Sequence, residues 1–94
     1  MDLEFRDKWN TKIRLSRERI KHIANHIDLQ DKIQLIEEIL QYPDIVRKDK
    51  EQESVYFYQK YLREEDLFII IVVKRNNEDA FIITMYKSKK AKET

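Results

Sequence analysis

The sequence predicts an α+β fold, with two N-terminal helices packed on one face of a twisted, mainly antiparallel sheet of about four strands. Three observations carry that expectation. Two apolar runs, LFIIIVVK from Leu67 to Lys74 and AFIITMYK from Ala80 to Lys87, flank the turn residues Asn76 to Asp79 and read as an antiparallel hairpin. SVYFYQKYL, from Ser54 to Leu62, alternates as a half-buried strand. Between residues 17 and 41 the apolar residues recur instead at helical spacing.

In chain order, Leu3 and Phe5, then Ile13 and Leu15, have the spacing of short strands, and Asp7 to Asn10 form a turn with Trp9 near its tip. Ser16, followed by Glu18 and by Ile20, Ile23, Ala24 and Ile27, predicts an N-capped amphipathic helix over 17 to 27. Asp28 is placed to cap the next helix. Its Ile33, Ile36, Ile39 and Leu40 repeat at helical spacing until Pro43 stops it near Gln41. Ile45 and Val46 begin a short strand, KDKEQE from Lys48 to Glu53 is a charged loop, and the turn at Arg63 to Asp66 leads into the closing hairpin.

The 94 residues are expected to form one domain, 1–94, around a single core. Charged residues make up 39% of the chain yet the formal net charge is +1, so attraction to nucleic acid rests on local clusters. Lys87, Lys89, Lys90 and Lys92 make one; Arg14, Arg17, Arg19 and Lys21 make another. The absence of cysteine removes zinc–thiolate sites and thiol nucleophiles and fits the cytoplasm. The absence of glycine removes the glycine-rich phosphate loops of nucleotide enzymes. No cofactor is expected, and Leu67 to Val73 is far below the ~20 residues of a membrane span.

Strand register suggests a site. If the last two turns centre near Asn77 and Glu64, then Tyr58, Ile70 and Thr84 lie level on three adjacent strands. By the period of two, Tyr56, Tyr58 and Lys60 share a direction, as do Thr84 and Tyr86, while Phe57, Phe81, Ile83 and Met85 point oppositely. One face is then core beneath the helices, and the other carries tyrosines and a threonine. Such a platform can stack bases or donate to phosphate, although tyrosine also favours half-buried strands for packing alone. His22 and His26, four apart, lie on one helical face and can titrate near neutrality; the plainer reading of each is a packed interfacial ring. Arg47 and Lys48 add positive charge beside the sheet.

Together these segments resemble the small RelE-like nucleases of the phage barnase/EndoU/colicin/RelE group, over about Lys12 to Lys90. KIRLSRERIKHIANH is similar to the family's opening strand and helix, with His22 and His26 on its histidines, although Ile27 and Asp28 replace the family's proline and glutamate. ILQYPDIV matches the helix end through Pro43 and Val46, and VYFYQKY puts Phe57 and Tyr58 on a tyrosine pair. FIITMYKSKK puts Thr84 and Tyr86 on a Thr-x-Tyr ending. The resemblance implies a RelE/barnase-like domain and a metal-independent, toxin-like endoribonuclease, with RNA and a cognate antitoxin protein as partners.

On this reading RNA is cleaved by attack of the ribose 2′-hydroxyl on its own phosphate. His26 serves as base or acid, Tyr58 as partner acid or phosphate donor, and Thr84 and Tyr86 position the substrate. His22, Arg47 and Lys87 contact phosphate. The alternative is a catalytically inactive interaction module of the same fold that pairs with a protein or forms a homodimer through Phe68, Ile70 and Val72.

Overall fold

The structure, a computed structural model, describes residues 2–25, 32, 35–77 and 79–93. Among them the chain runs β1 (Leu3–Arg6), β2 (Lys12–Leu15), α1 (Arg17–Ala24), α2 (Ile36–Gln41), β3 (Ile45–Lys48), β4 (Val55–Leu62), β5 (Leu67–Asn76) and β6 (Asp79–Ser88). The sheet has six strands in the order β1-β2-β6-β5-β4-β3, which corrects the expectation of two N-terminal helices on a four-strand sheet. The short N-terminal strands pair antiparallel with each other, and β2 then joins β6 in parallel at Arg14 and Phe81, making the sheet mixed.

Helix α1 has eight residues and α2 six. Ser16 caps α1 as its sequence position implies, its hydroxyl accepting the Arg19 N–H at 3.1 Å. Pro43 follows α2 by two positions, where it cannot continue the helix. The expected cap at Asp28 and the apolar positions Ile27 and Ile33 lie outside the described residues. With no glycine to adopt left-handed backbone, the turns use Asn10, Asp66 and Asn77, with φ of 62°, 53° and 54°. Asparagine and aspartate tolerate this region because their short polar side chains bond locally.

Ile23 of α1 and Ile36, Ile39 and Leu40 of α2 bury against Ile13, Leu15, Tyr58, Ile69, Ile71, Val73, Ile82 and Met85. Tyr58 is thus part of the core beneath the helices, not of an open tyrosine face. The reason is register. The β4–β5 turn holds four residues, Arg63 to Asp66, between the partners Leu62 and Leu67, so Tyr58 pairs with Ile71 rather than Ile70. A shift of one residue reverses the face of every side chain. A bulge adds a second shift: Val72 pairs with Thr84 but Val73 with Ile82, which sends Ile82 and Met85 into the helix-side core while Ile83 joins the opposite face.

That opposite face holds a smaller cluster of Val55, Phe57, Ile70 and Val72, flanked by Phe68, Ile83 and Tyr86. The C-terminal segment returns across it. Gln59 is fully buried, and its carboxamide pairs reciprocally with the Lys92 backbone: Nε2 donates to the carbonyl at 3.0 Å, and Oε1 accepts the N–H at 2.6 Å. The Lys92 ammonium lies 5.4 Å from the Phe57 ring centre. This satisfies a buried amide that would otherwise cost about 1–3 kcal/mol. No helix among the described residues is long and apolar enough to cross a membrane.

Candidate functional site

Asp7 is the fixed point of the most organised polar cluster. Its side chain is 0% exposed, a state that a carboxylate tolerates only with its lone pairs filled. Four donors fill them. Oδ1 accepts the backbone N–H groups of Trp9 at 2.9 Å and Thr11 at 2.8 Å, tying the β1–β2 turn into a loop. Oδ2 accepts the Tyr58 hydroxyl at 2.6 Å and Arg75 Nη2 at 2.7 Å.

Local folding explains why these groups meet. Tyr56, Tyr58, Val73 and Arg75 alternate onto the helix side of β4 and β5, toward the end of the sheet where Arg75 pairs with Ala80. The β1–β2 turn reaches the same place because the Lys8 N–H donates to the carbonyl of Leu40, near the end of α2, at 3.0 Å. Arg75 Nη2 also donates to the Tyr58 oxygen at 2.7 Å, and its guanidinium carbon lies 4.8 Å from the Tyr56 ring centre and 5.6 Å from that of Trp9. Trp9 meets Tyr58 edge-on at 6.3 Å and stays 54% exposed. The result is a guanidinium held by a buried carboxylate, a phenol and two rings, with 27% of its side chain open to water.

Burial, reinforced by the hydrogen bond to the Asp7 carboxylate, raises the Tyr58 phenol above the ordinary tyrosine range. The unfolded chain therefore loses this proton first, so the stability Tyr58 contributes is whole below about pH 10 and falls as pH rises beyond it. Tyr58→Phe is expected to cost about 1.5–3 kcal/mol at neutral pH, as for other hydrogen bonds to charged groups. The gap between wild type and variant should narrow above about pH 10, where urea denaturation measures both.

The residues singled out from sequence are not brought together. Tyr58 is on the helix side, whereas Thr84 pairs with Val72 and Tyr86 with Ile70 on the opposite face. Burial raises the Tyr86 phenol as well. Arg47 is exposed on β3 opposite Phe57, and Lys87 pairs with Ile69 at the other end of the β5–β6 ladder from Arg75. His22 is exposed on α1, lining a cavity of about 350 Å³ with Glu18 and Arg19. His26 lies outside the described residues.

Sequence reasoning placed Trp9 at a turn tip but passed over Asp7 and Arg75. The available signal for Arg75 was its position two residues beyond Val73 on a strand face otherwise apolar. For Asp7 it was an aspartate opening a turn whose next residues offer N–H groups to its side chain.

A family model described as phage-Barnase-EndoU-ColicinE5/D-RelE like nuclease3 matches residues 2–94. No curated protein and no solved structure gives a match.

Proposed function

The chain belongs to this phage Barnase-EndoU-ColicinE5/D-RelE like nuclease family, and from that premise we propose that it is a metal-independent endoribonuclease whose phosphate contact is Arg75. The observation that carries the proposal is the clamping of that guanidinium. Nη2 is committed to Asp7 and Tyr58, Nε is buried without a hydrogen-bond partner, and 27% of the side chain stays open to water, where a phosphate can meet the guanidinium. A pre-positioned cation of this kind stabilises the charge that develops on phosphate without first having to reorganise.

In the reaction, the 2′-oxygen gives up its proton to a base and forms a bond to the adjacent phosphorus. The bond from phosphorus to the 5′-oxygen breaks, and an acid protonates the leaving oxygen. The products are a 2′,3′-cyclic phosphate and a 5′-hydroxyl. Arg75 neutralises the crowded phosphorus intermediate. Asp7 and Tyr58 act as positioning residues, since all the bonds of Asp7 face inward and the Tyr58 ring is fully buried. The family resemblance, not the described geometry, is the ground for giving proton transfer to His26, which lies outside the described residues.

A second reading, RNA binding without cleavage, draws on the same commitment of both Asp7 oxygens. Incubation of the purified chain with RNA in EDTA separates the two. The nuclease reading expects products ending in cyclic phosphate, and no cut where a 2′-deoxy nucleotide precedes the phosphate. Loss of cleavage in EDTA, or equal cleavage at the deoxy position, overturns the proposed chemistry. Binding without any cleavage selects the second reading.

A further inference from the structure

Resting on the reading of Arg75 as a phosphate contact, we propose that Trp9 is a nucleobase subsite and that the substrate class is single-stranded RNA with an unstacked base beside that phosphate. One carboxylate fixes both halves of the contact: Asp7 Oδ1 holds the Trp9 backbone, and Oδ2 holds Arg75. The loop that carries the ring and the cation beside it are therefore held by one residue before any ligand arrives.

The loop carrying Trp9 is tied throughout. The Asp7 N–H donates to the Thr11 carbonyl at 3.1 Å and the Asn10 N–H to the Asp7 carbonyl at 2.9 Å. Arg6 Nη1 donates to the Asn10 carbonyl at 3.1 Å. An indole that is 54% exposed on such a loop is apolar surface left uncovered by a backbone with little freedom to bury it. Its neighbours select the occupant. The Lys8 ammonium lies over the ring at 5.0 Å from its centre and the Arg75 guanidinium over it at 5.6 Å, so a base that stacks on the indole takes the place of a cation over the ring and brings its phosphate to that cation. A flat π-face on an anionic backbone fits that pairing, whereas an apolar protein surface would bury both charges. Bases within a duplex are stacked on each other and cannot reach the ring, which makes an unpaired strand the substrate.

The protein has one tryptophan, so its fluorescence reports position 9 alone. The full chain is titrated with a mixed-sequence 2′-O-methyl RNA hexamer, which lacks the attacking hydroxyl, with its duplex, and with an abasic strand of equal charge. The hexamer is expected to quench Trp9; the duplex and the abasic strand are not. By anisotropy of a labelled hexamer, Trp9→Ala should bind roughly 10- to 100-fold more weakly and Trp9→Phe should keep most of the affinity. Because Trp9→Phe retains a ring in the same loop, it guards against a loss caused by misfolding.

Binding without quenching, equal quenching by duplex or abasic strand, or unchanged affinity in Trp9→Ala overturns the subsite, as does failure of the hexamer to bind. Quenching by the hexamer with no cleavage of ordinary RNA keeps the subsite and removes the nuclease reading. Cleavage without quenching does the reverse.

Discussion

Arg75→Ala is expected to lower the rate of RNA cleavage by about 100- to 1,000-fold, the range found when a pre-positioned donor to a developing anion is removed. The loss should fall mainly on kcat, with KM changing less, because the contact strengthens as charge gathers on phosphate. Arg75→Lys is expected to recover little. An ammonium keeps the charge but lacks the planar fork whose Nη2 holds Asp7 and Tyr58 together. Single-turnover cleavage of one defined RNA by wild type and both variants measures these effects, with circular dichroism confirming that each variant folds. Full activity in Arg75→Ala would remove this residue from the site.

The same guanidinium shows which features were legible in the sequence and which were not. Periodicity identified the strands of the closing meander, the Ser16 cap and the arrest of α2 before Pro43, because each depends on neighbours within a few residues. Sheet membership of the N-terminal strands depends instead on a parallel contact between Arg14 and Phe81, far apart in sequence, and short apolar spacing carries no record of it. The candidate site failed at a still finer level. Tyr58 and Thr84 share a level if the turns centre on Glu64 and Asn77; both centres lie half a residue later, and the bulge at Val72 and Val73 then sets Tyr58 in line with Ile71 and Met85, leaving Thr84 on the opposite face.

Arg75 and Asp7 escaped for a related reason. Their meeting requires the β1–β2 turn to fold over the end of β4 and β5, a consequence of six strands rather than four. The family resemblance was legible without that geometry, since it rests on the order of segments along the chain, and the family match over residues 2–94 agrees with it. Residue roles need the register, which the order of segments does not contain.

Asp7→Ala is expected to be the most destabilising single substitution in the cluster, costing about 3 kcal/mol, the lower end of the range for removing one partner of a buried pair because Arg75 still reaches water. Four donors lose their acceptor at once: two backbone N–H groups, a phenol and a guanidinium. Asp7→Asn, nearly identical in shape, separates charge and acceptor number from packing. Asparagine has one oxygen, so its NH2 group must confront either the Trp9 and Thr11 N–H groups or the Tyr58 and Arg75 donors. A cost of about 2 kcal/mol or more is therefore expected even for the isostere, since donors facing donors are left unsatisfied. Urea denaturation of the three proteins gives the comparison, with the slope checked for a change in the unfolded state. A near-wild-type midpoint for Asp7→Asn would mean that the carboxylate only fills space. The expected losses would instead identify Asp7 as the residue that sets both the Trp9 loop and the Arg75 guanidinium, so cleavage and Trp9 quenching should decline together in any Asp7 variant that still folds.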